Sequence, residues 1–357
     1  MKKFIFAMLQ LFADAGSVVN VSTGYVVNGT PEASNALAGE LKTFYDTELL
    51  ENARVEMFYA QFAKTQPLPA GRGKTIEWRK WNTFERAGKL QEGVIPTGQK
   101  FGMSTKTGTI DQYGTYATVS DQLELHAYDD VILGATEEMG ASAAETQEVL
   151  IRDALLVNTN VLYCDNVTLA TGVVASTPTS CALMEASATV MSAFNPAMVA
   201  KAVTIMKKNR VPTINGKYYC VLHPSVAHDL RKDKDWVEAH KYARPEEIYN
   251  GEIGELHGCR FIENVFAPIL GGDDYKNKAG TVTYASYMFG KDGFGIIDPE
   301  GGALEMIVKD KNQIGGPLNQ FSTIGYKFET NGATVLYPER VLRIMSCSSF
   351  SAQDEAN

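Results

Sequence analysis

No stretch of this 357-residue sequence approaches eighteen consecutive apolar residues, so no membrane-spanning helix is written in it. It also lacks a basic stripe. With 33 Lys and Arg against 42 Asp and Glu, the formal net charge is −9, and contact with phosphate backbones would need clustered cations. That argues against a dedicated nucleic-acid binder, though not against a protein that merely surrounds nucleic acid. Cysteine is sparse: Cys164, Cys181, Cys220, Cys259 and Cys347 are scattered, odd in number and without a Cys-x-x-Cys pair. Neither a zinc ribbon nor a redox motif is present, and the thiols read as buried and free in a reducing compartment.

Catalytic and ligand-binding signatures fail on spacing. "PAGRGKT" lacks the glycine that a phosphate-binding loop needs five residues before its Gly-Lys-Thr, because Leu68 stands there. "GKDGFG" at 290–295 has its glycines in the wrong order for a dinucleotide fingerprint and reads as a turn between strands. "YYCVLHPSVAHDL" at 218–230 gathers Cys220, His223, Ser225, His228 and Asp229. On a strand Cys220 and His223 point to opposite faces, which disfavours a dyad or shared metal. Ser225 lacks the flanking glycines of a nucleophile elbow. His223 and His228 are five apart across a strand-to-helix junction, unlike the helical His-Glu-x-x-His pair. The expectation is no catalytic residue, no cofactor and no metal, with His223 serving the junction.

What the sequence does have is 45% hydrophobic and 21% charged residues, ordinary for a globular chain long enough for two or three folding units. The start, "MKKFIFAMLQLFADAG", imitates a secretory signal cleaved after Ala15; against that, its apolar run is short and broken by Gln10, and an amphipathic arm is the favoured reading. A helix is expected from Thr30 as N-cap and Pro31 at the first position, through Leu37, Leu41 and Phe44.

The most informative stretch follows. "KTIEWRKW" and "STKTGTIDQYGTYATVS" alternate like strands around a Gly-rich middle, making a long two-stranded arm with little apolar content. An isolated ribbon of that kind cannot stabilise itself in water, so it must lie on something else, and another subunit is the good candidate. Its charges, Lys74, Glu77, Arg79, Lys80, Glu85, Arg86, Lys89 and Glu92, interleave both signs and suit a seam that gives register against a neighbour. A helix of about 30 residues, roughly 45 Å long, is expected next. Its stripe runs Ile132, Ala135, Met139, Ala143, Thr146, Leu150, Ala154 and Val157, with Glu148 and Arg152 on the other side. "FNPAMVAKAVTIMKKNRVP" is a helix capped by Asn195, "INGK" a hairpin turn, "KYYCVL" a strand, and the C-terminal third a succession of strands.

In its ordered succession, from "MLQLFADA" and "LKTFYDTELLENA" through "KTIEWRKWNTF", "LQEGVIPTGQK", "YATVSDQLELHAYDD", "VLHPSVAHDLRKDKDW" and "YNGEIGELHGCRFIENVFAP", the sequence resembles the major capsid proteins of tailed bacteriophages with the Hong Kong 97-type (HK97-like) fold. More narrowly it resembles the branch typified by the coat protein of phage N4. The resemblance implies an α+β fold with residues 1–65 as N-terminal arm and 66–118 as an extended loop. Residues 119–194 would be a peripheral domain with a spine helix at 129–159, 195–312 an axial domain, and 313–357 strands returning to the peripheral domain. It implies a non-enzymatic protein that self-assembles, as hexamers and pentamers, into an icosahedral shell around double-stranded DNA without sequence-specific contact. Portal, scaffolding and cement proteins would be its partners, and the host cytoplasm its place of assembly. Intersubunit contacts are expected from Trp78, Arg79, Lys80, Trp81, Glu85, Arg86, Lys89 and Glu92. The alternatives are an encapsulin-type cellular shell, a secreted surface-layer or adhesion protein, and a hydrolase using Ser225 or Cys220.

Overall fold

The computed structural model describes residues 19–21, 24–27, 30–32, 57–71, 73–82, 84–93, 95, 98–126, 131–240, 254–300, 304–309, 313, 320–330 and 332–357. The chain divides into two units, Met1–Ala53 and Arg54–Asn357. In the first, β1 (Val19–Val21), β2 (Gly24–Val27) and β3 (Thr30–Glu32) form an antiparallel meander in that order. Thr30 and Pro31 therefore start a strand and not a helix. A proline that lacks an N–H fits this edge strand as well as it fits a first helical turn. The remainder of the expected helix lies outside the described residues.

The second unit opens with a single 3-10 turn, Tyr59–Phe62, and β4 (Lys64–Leu68). β5 (Thr75–Trp81) pairs antiparallel with β6 (Met103–Thr109), in register from Thr75↔Thr109 to Trp81↔Met103. The second alternating run does not continue as one strand. It breaks at Ile110, which is buried beside Leu68 and Ile297 and donates its N–H to Lys74 O at 2.9 Å. β7 (Asp111–Ser120) then leaves the hairpin and pairs along its length with a strand two hundred residues away. The short α1 (Asp121–His126) follows.

The long helix is α2 (Val131–Leu156), 26 residues or about 39 Å. Residues 129 and 130, where the expected spine helix would start, lie outside the described residues. Its C-terminal half buries a different stripe from the one that apolarity suggests: Glu148, Ile151, Arg152 and Leu155 are buried, while Val157 is 80% exposed. The rotation is tolerated because both polar side chains find partners. Glu148 accepts from the N–H groups of Phe58 (3.1 Å) and Tyr59 (3.3 Å) and from Asn264 Nδ2 (2.6 Å). Arg152 donates to Asp153, to Asn357 Oδ1 at 2.9 Å and to Phe266 O.

β8 (Val161–Tyr163) enters the main sheet, and β9 (Asn166–Thr168), β10 (Val174–Ser176) and β11 (Val190–Met191) make a small one around the buried amide of Asn166. α3 (Pro196–Lys208) is capped as its sequence predicts, Asn195 accepting from Met198 N at 2.9 Å. Asn215 and Gly216, both with positive φ, turn the chain into β12 (Tyr218–Leu222). α4 (Pro224–Lys232) and α5 (Lys234–His240) follow. β13 (Glu255–Leu256), β14 (Cys259–Glu263), β15 (Ile269–Leu270), β16 (Thr283–Phe289), β17 (Phe294–Pro299), β18 (Glu305–Lys309), β19 (Phe321–Thr330), β20 (Thr334–Val335) and β21 (Val341–Ser346) complete the chain.

The seven-stranded sheet runs β13-β14-β12-β16-β21-β8 with β15 on β16. One of its faces packs under α3, α4 and α5 through Cys220, Leu222, Met288, Leu342 and Ile344. The other, with Val221, Tyr287, Phe289 and Val341, packs on Tyr59, Ile151 and Leu155. β18-β19-β7 lies against α2 through Tyr326, Phe328 and Ala143, and β20-β17-β4 forms a third layer. The C-terminal strands are thus divided: β19 is beside the long helix, whereas β21 is interior to the main sheet.

Candidate assembly surface

Alternation along β5 gives the hairpin two faces. Ile76, Trp78 and Lys80 turn toward the chain's own body, while Thr75, Glu77, Arg79 and Trp81 turn outward and are exposed. Trp78 packs with Leu68, Ile110 and Ile297. It fits only because its neighbours are glycines. A Cβ at Gly108 would come within 2.7 Å of the indole, and one at Gly295 within 3.1 Å. Lys80 pairs with Glu339 at 3.0 Å. Burial alone would raise the Glu339 carboxyl, but a backbone N–H and the Lys80 and Arg340 charges hold it below the usual range.

Beyond this root, among the described residues, the hydrogen bonds and ring contacts of the hairpin are made within the hairpin. Glu85 and Gln99 exchange backbone-to-amide hydrogen bonds of 2.9 and 3.1 Å, and Asn82 N donates to Gly102 O, so the described contacts of the distal part stay within it. Arg86, Lys89 and Glu92 are exposed, and Arg79 makes only a loose 3.9 Å pair with Glu77. The distal part is far from apolar-poor. Trp81, Phe84, Leu90, Ile95, Phe101 and Met103 are all exposed, and Trp81 and Phe84 both stack on Phe101, at 4.2 and 5.5 Å. The charged pattern drew attention to this segment, but the aromatic ladder is its larger hydrophobic asset, and register across the two strands was needed to see it. Exposed apolar area of this kind marks an interaction site.

The residues of the cluster at 218–230 are held in structural contacts. Cys220 lies in the core under α3 and α4. His223 caps α4, its Nδ1 accepting from Ser225 N at 3.2 Å; burial holds its pKa below the ordinary value, with the Asp354 carboxylate opposing. Ser225 Oγ donates to Asp354 Oδ2 at 2.6 Å. The ring of His228 meets Phe350 edge-on. "GKDGFG" is the turn between β16 and β17, with Asp292 at positive φ. Among the described residues no group of His, Cys, Asp and Glu could hold a metal ion, and no helix is long and apolar enough to cross a membrane.

Residues 104–332 match the family model described as phage capsid protein. No curated protein matches the chain. Solved structures do. The capsid of cyanophage P-SCSP1u is similar over 91% of this chain and 97% of its own, with 15% identity and a TM-score of 0.61. The capsid of Helicobacter pylori bacteriophage KHP30 is similar over 88% and 98%, with 10% identity and a TM-score of 0.67. The capsid of cyanophage Pam1 is similar over 90% and 100%, with 14% identity and a TM-score of 0.65. At such identities the likeness speaks for the fold, which is the HK97-like α+β architecture, while the family match covers well over half the chain. An exposed aromatic hairpin, a long helix and a mixed sheet are thus the parts of a major capsid protein that forms a phage shell, and the chain belongs to the phage capsid protein family.

Proposed function

We propose that the hairpin is the arm by which each subunit holds the next. Arg79, Trp81, Glu85, Arg86, Lys89 and Glu92, with the Trp81–Phe101–Phe84 ladder, contact an adjoining copy, while Trp78 and Lys80 root the arm in its own body. The observation that carries this reading is the exposed stack of Trp81 on Phe101 at 4.2 Å, a cost in water that a neighbour's surface removes. α2 and the β18-β19-β7 sheet make the peripheral domain, and the seven-stranded sheet with α3, α4 and α5 the axial domain. Of residues 1–65, the part up to Ala53 acts as a further arm, while Tyr59 and Phe62 pack in the core. Many weak contacts of this kind, each made effectively intramolecular by the others, give a shell its strength. The shell is built from hexamers and pentamers in the host cytoplasm with portal, scaffolding and cement proteins. It encloses double-stranded DNA without reading its sequence, and no step requires catalysis. Within the family, the branch typified by the N4 coat protein is the one to which we assign the chain.

Trp81 and Met103 face each other across the ladder, so the arm can be cut cleanly. Replacing residues 82–102 by Asn-Gly closes the two strands with the turn their twist prefers. The expected product is a folded, soluble subunit that forms no closed shells by electron microscopy; normal particles would overturn the reading.

A further inference from the structure

The root of the hairpin carries a polar contact set distinct from its apolar anchor. Lys80 lies two residues beyond Trp78 on the same face of β5. Its ammonium is 3.0 Å from Glu339 Oε1 and 4.4 Å from the centroid of the Tyr337 ring. The guanidinium of Arg340 is 3.9 Å from that same centroid, and its Nη1 donates to Lys291 O at 3.0 Å. One ring therefore receives two cations, and ring, acid and second cation all come from four consecutive residues at the 3-10 turn Pro338–Arg340. Contacts of this type are individually worth little when water reaches them, and the Lys80 and Glu339 side chains are 38% and 42% exposed. Trp78 is different, being packed on Leu68, Ile110 and Ile297 and close against the backbone of Gly108 and Gly295. Past Trp81, the described contacts are within the hairpin. Lys80 is thus the outermost side chain seen to tie the arm to its own body.

We propose that Tyr337, Glu339 and Arg340 are positioning residues for the hairpin, a latch that closes on Lys80 to hold the arm at one departure angle and opens to let it swing about Trp78. This rests on the reading of the hairpin as the arm that reaches an adjoining copy, and adds how its angle is chosen. One chain grouped in fives and in sixes meets its neighbours at different angles, so an arm rigid at its root would serve only one grouping. A water-accessible latch beside a half-buried pivot supplies that adjustment without loosening the fold.

The test places spin labels at Gln91→Cys on the arm and Thr204→Cys on α3, both exposed positions, while the native thiols are buried. Lys80→Ala and Glu339→Gln should each broaden the label-to-label distance distribution, and Lys80→Arg should restore it. Amide exchange across Thr75–Trp81 should quicken about tenfold in Lys80→Ala, the loss expected from one exposed ion pair and one cation–π contact together, and less in Glu339→Gln, which loses the ion pair alone. The parent in 1 M salt should approach the Glu339→Gln result as the pair is screened. Distributions for Lys80→Ala and Glu339→Gln that superimpose on the parent would sink the latch. The measurement uses unassembled subunits, so it judges the latch whether or not the arm reaches a neighbour; the shortened hairpin judges the reach.

Discussion

Glu148 is the residue whose role the sequence hides best. Local pattern assigns it to the solvent side of the long helix, yet it is fully buried and joins α2 to the backbone at Phe58 and Tyr59 and to Asn264. Burial raises its carboxyl above the ordinary range, with those hydrogen bonds pulling it back. A carboxyl so raised binds its proton more tightly in the folded chain than in the unfolded one. Its contribution is therefore fullest below the ordinary Glu value and is lost as pH rises through the raised one. Glu148→Ala strands three buried donors and should cost about 2–4 kcal/mol in chemical denaturation. Glu148→Gln should cost less and flatten the stability profile above the ordinary Glu range, where the raised carboxyl would otherwise lose its proton. The cysteines behave as their scatter implied. All five are free and buried, and burial pushes Cys347 up to about 12 and Cys164 and Cys259 well above a usual thiol. A thiol reagent should leave the native subunit unmodified and titrate five groups after denaturation.

Individual elements were legible where their signals are local. The Asn195 cap, the Asn215–Gly216 turn and the Pro224 helix start sit where the residues place them, because each depends on atoms within four positions. The division of residues 104–120 was not legible, since both halves alternate alike and only Ile110, packing on Leu68 and Ile297, separates them. Nor was the small sheet at 166–191, which depends on Asn166 bonding to Ser176, Leu183, Glu185 and Ser192. In α2, Gly140 has open space where a Cβ would stand and no positive φ. Gly140→Ala should stabilise the unassembled subunit by about 0.5–1 kcal/mol in thermal unfolding. A loss of assembly in that variant would show that a neighbouring copy uses the bare helix surface.

At the scale of the molecule, the main sheet draws strands from four separated parts of the chain, and the C-terminal tail closes over the result. Asp354 Oδ2 accepts from Ser225 Oγ and Tyr284 OH, each at 2.6 Å, and Asn357 Oδ1 accepts from Arg152 Nη1 and Ile269 N. Removing Asp354–Asn357 leaves Arg152 without its amide partner, so the thermal midpoint of the subunit should fall by several degrees, and an unchanged midpoint would show the tail to be idle. By itself the sequence determined the local elements and the existence of a two-stranded ribbon carrying charges of both signs. Those follow from spacing, capping and charge, which operate between near neighbours. Only the tertiary structure decided where that ribbon stops pairing with itself, which polar side chains of α2 turn inward, and that Trp78 and Lys80 face home while Trp81 faces out. Each of those choices depends on partners one to three hundred residues distant, and no local pattern carries information about an atom that far along the chain.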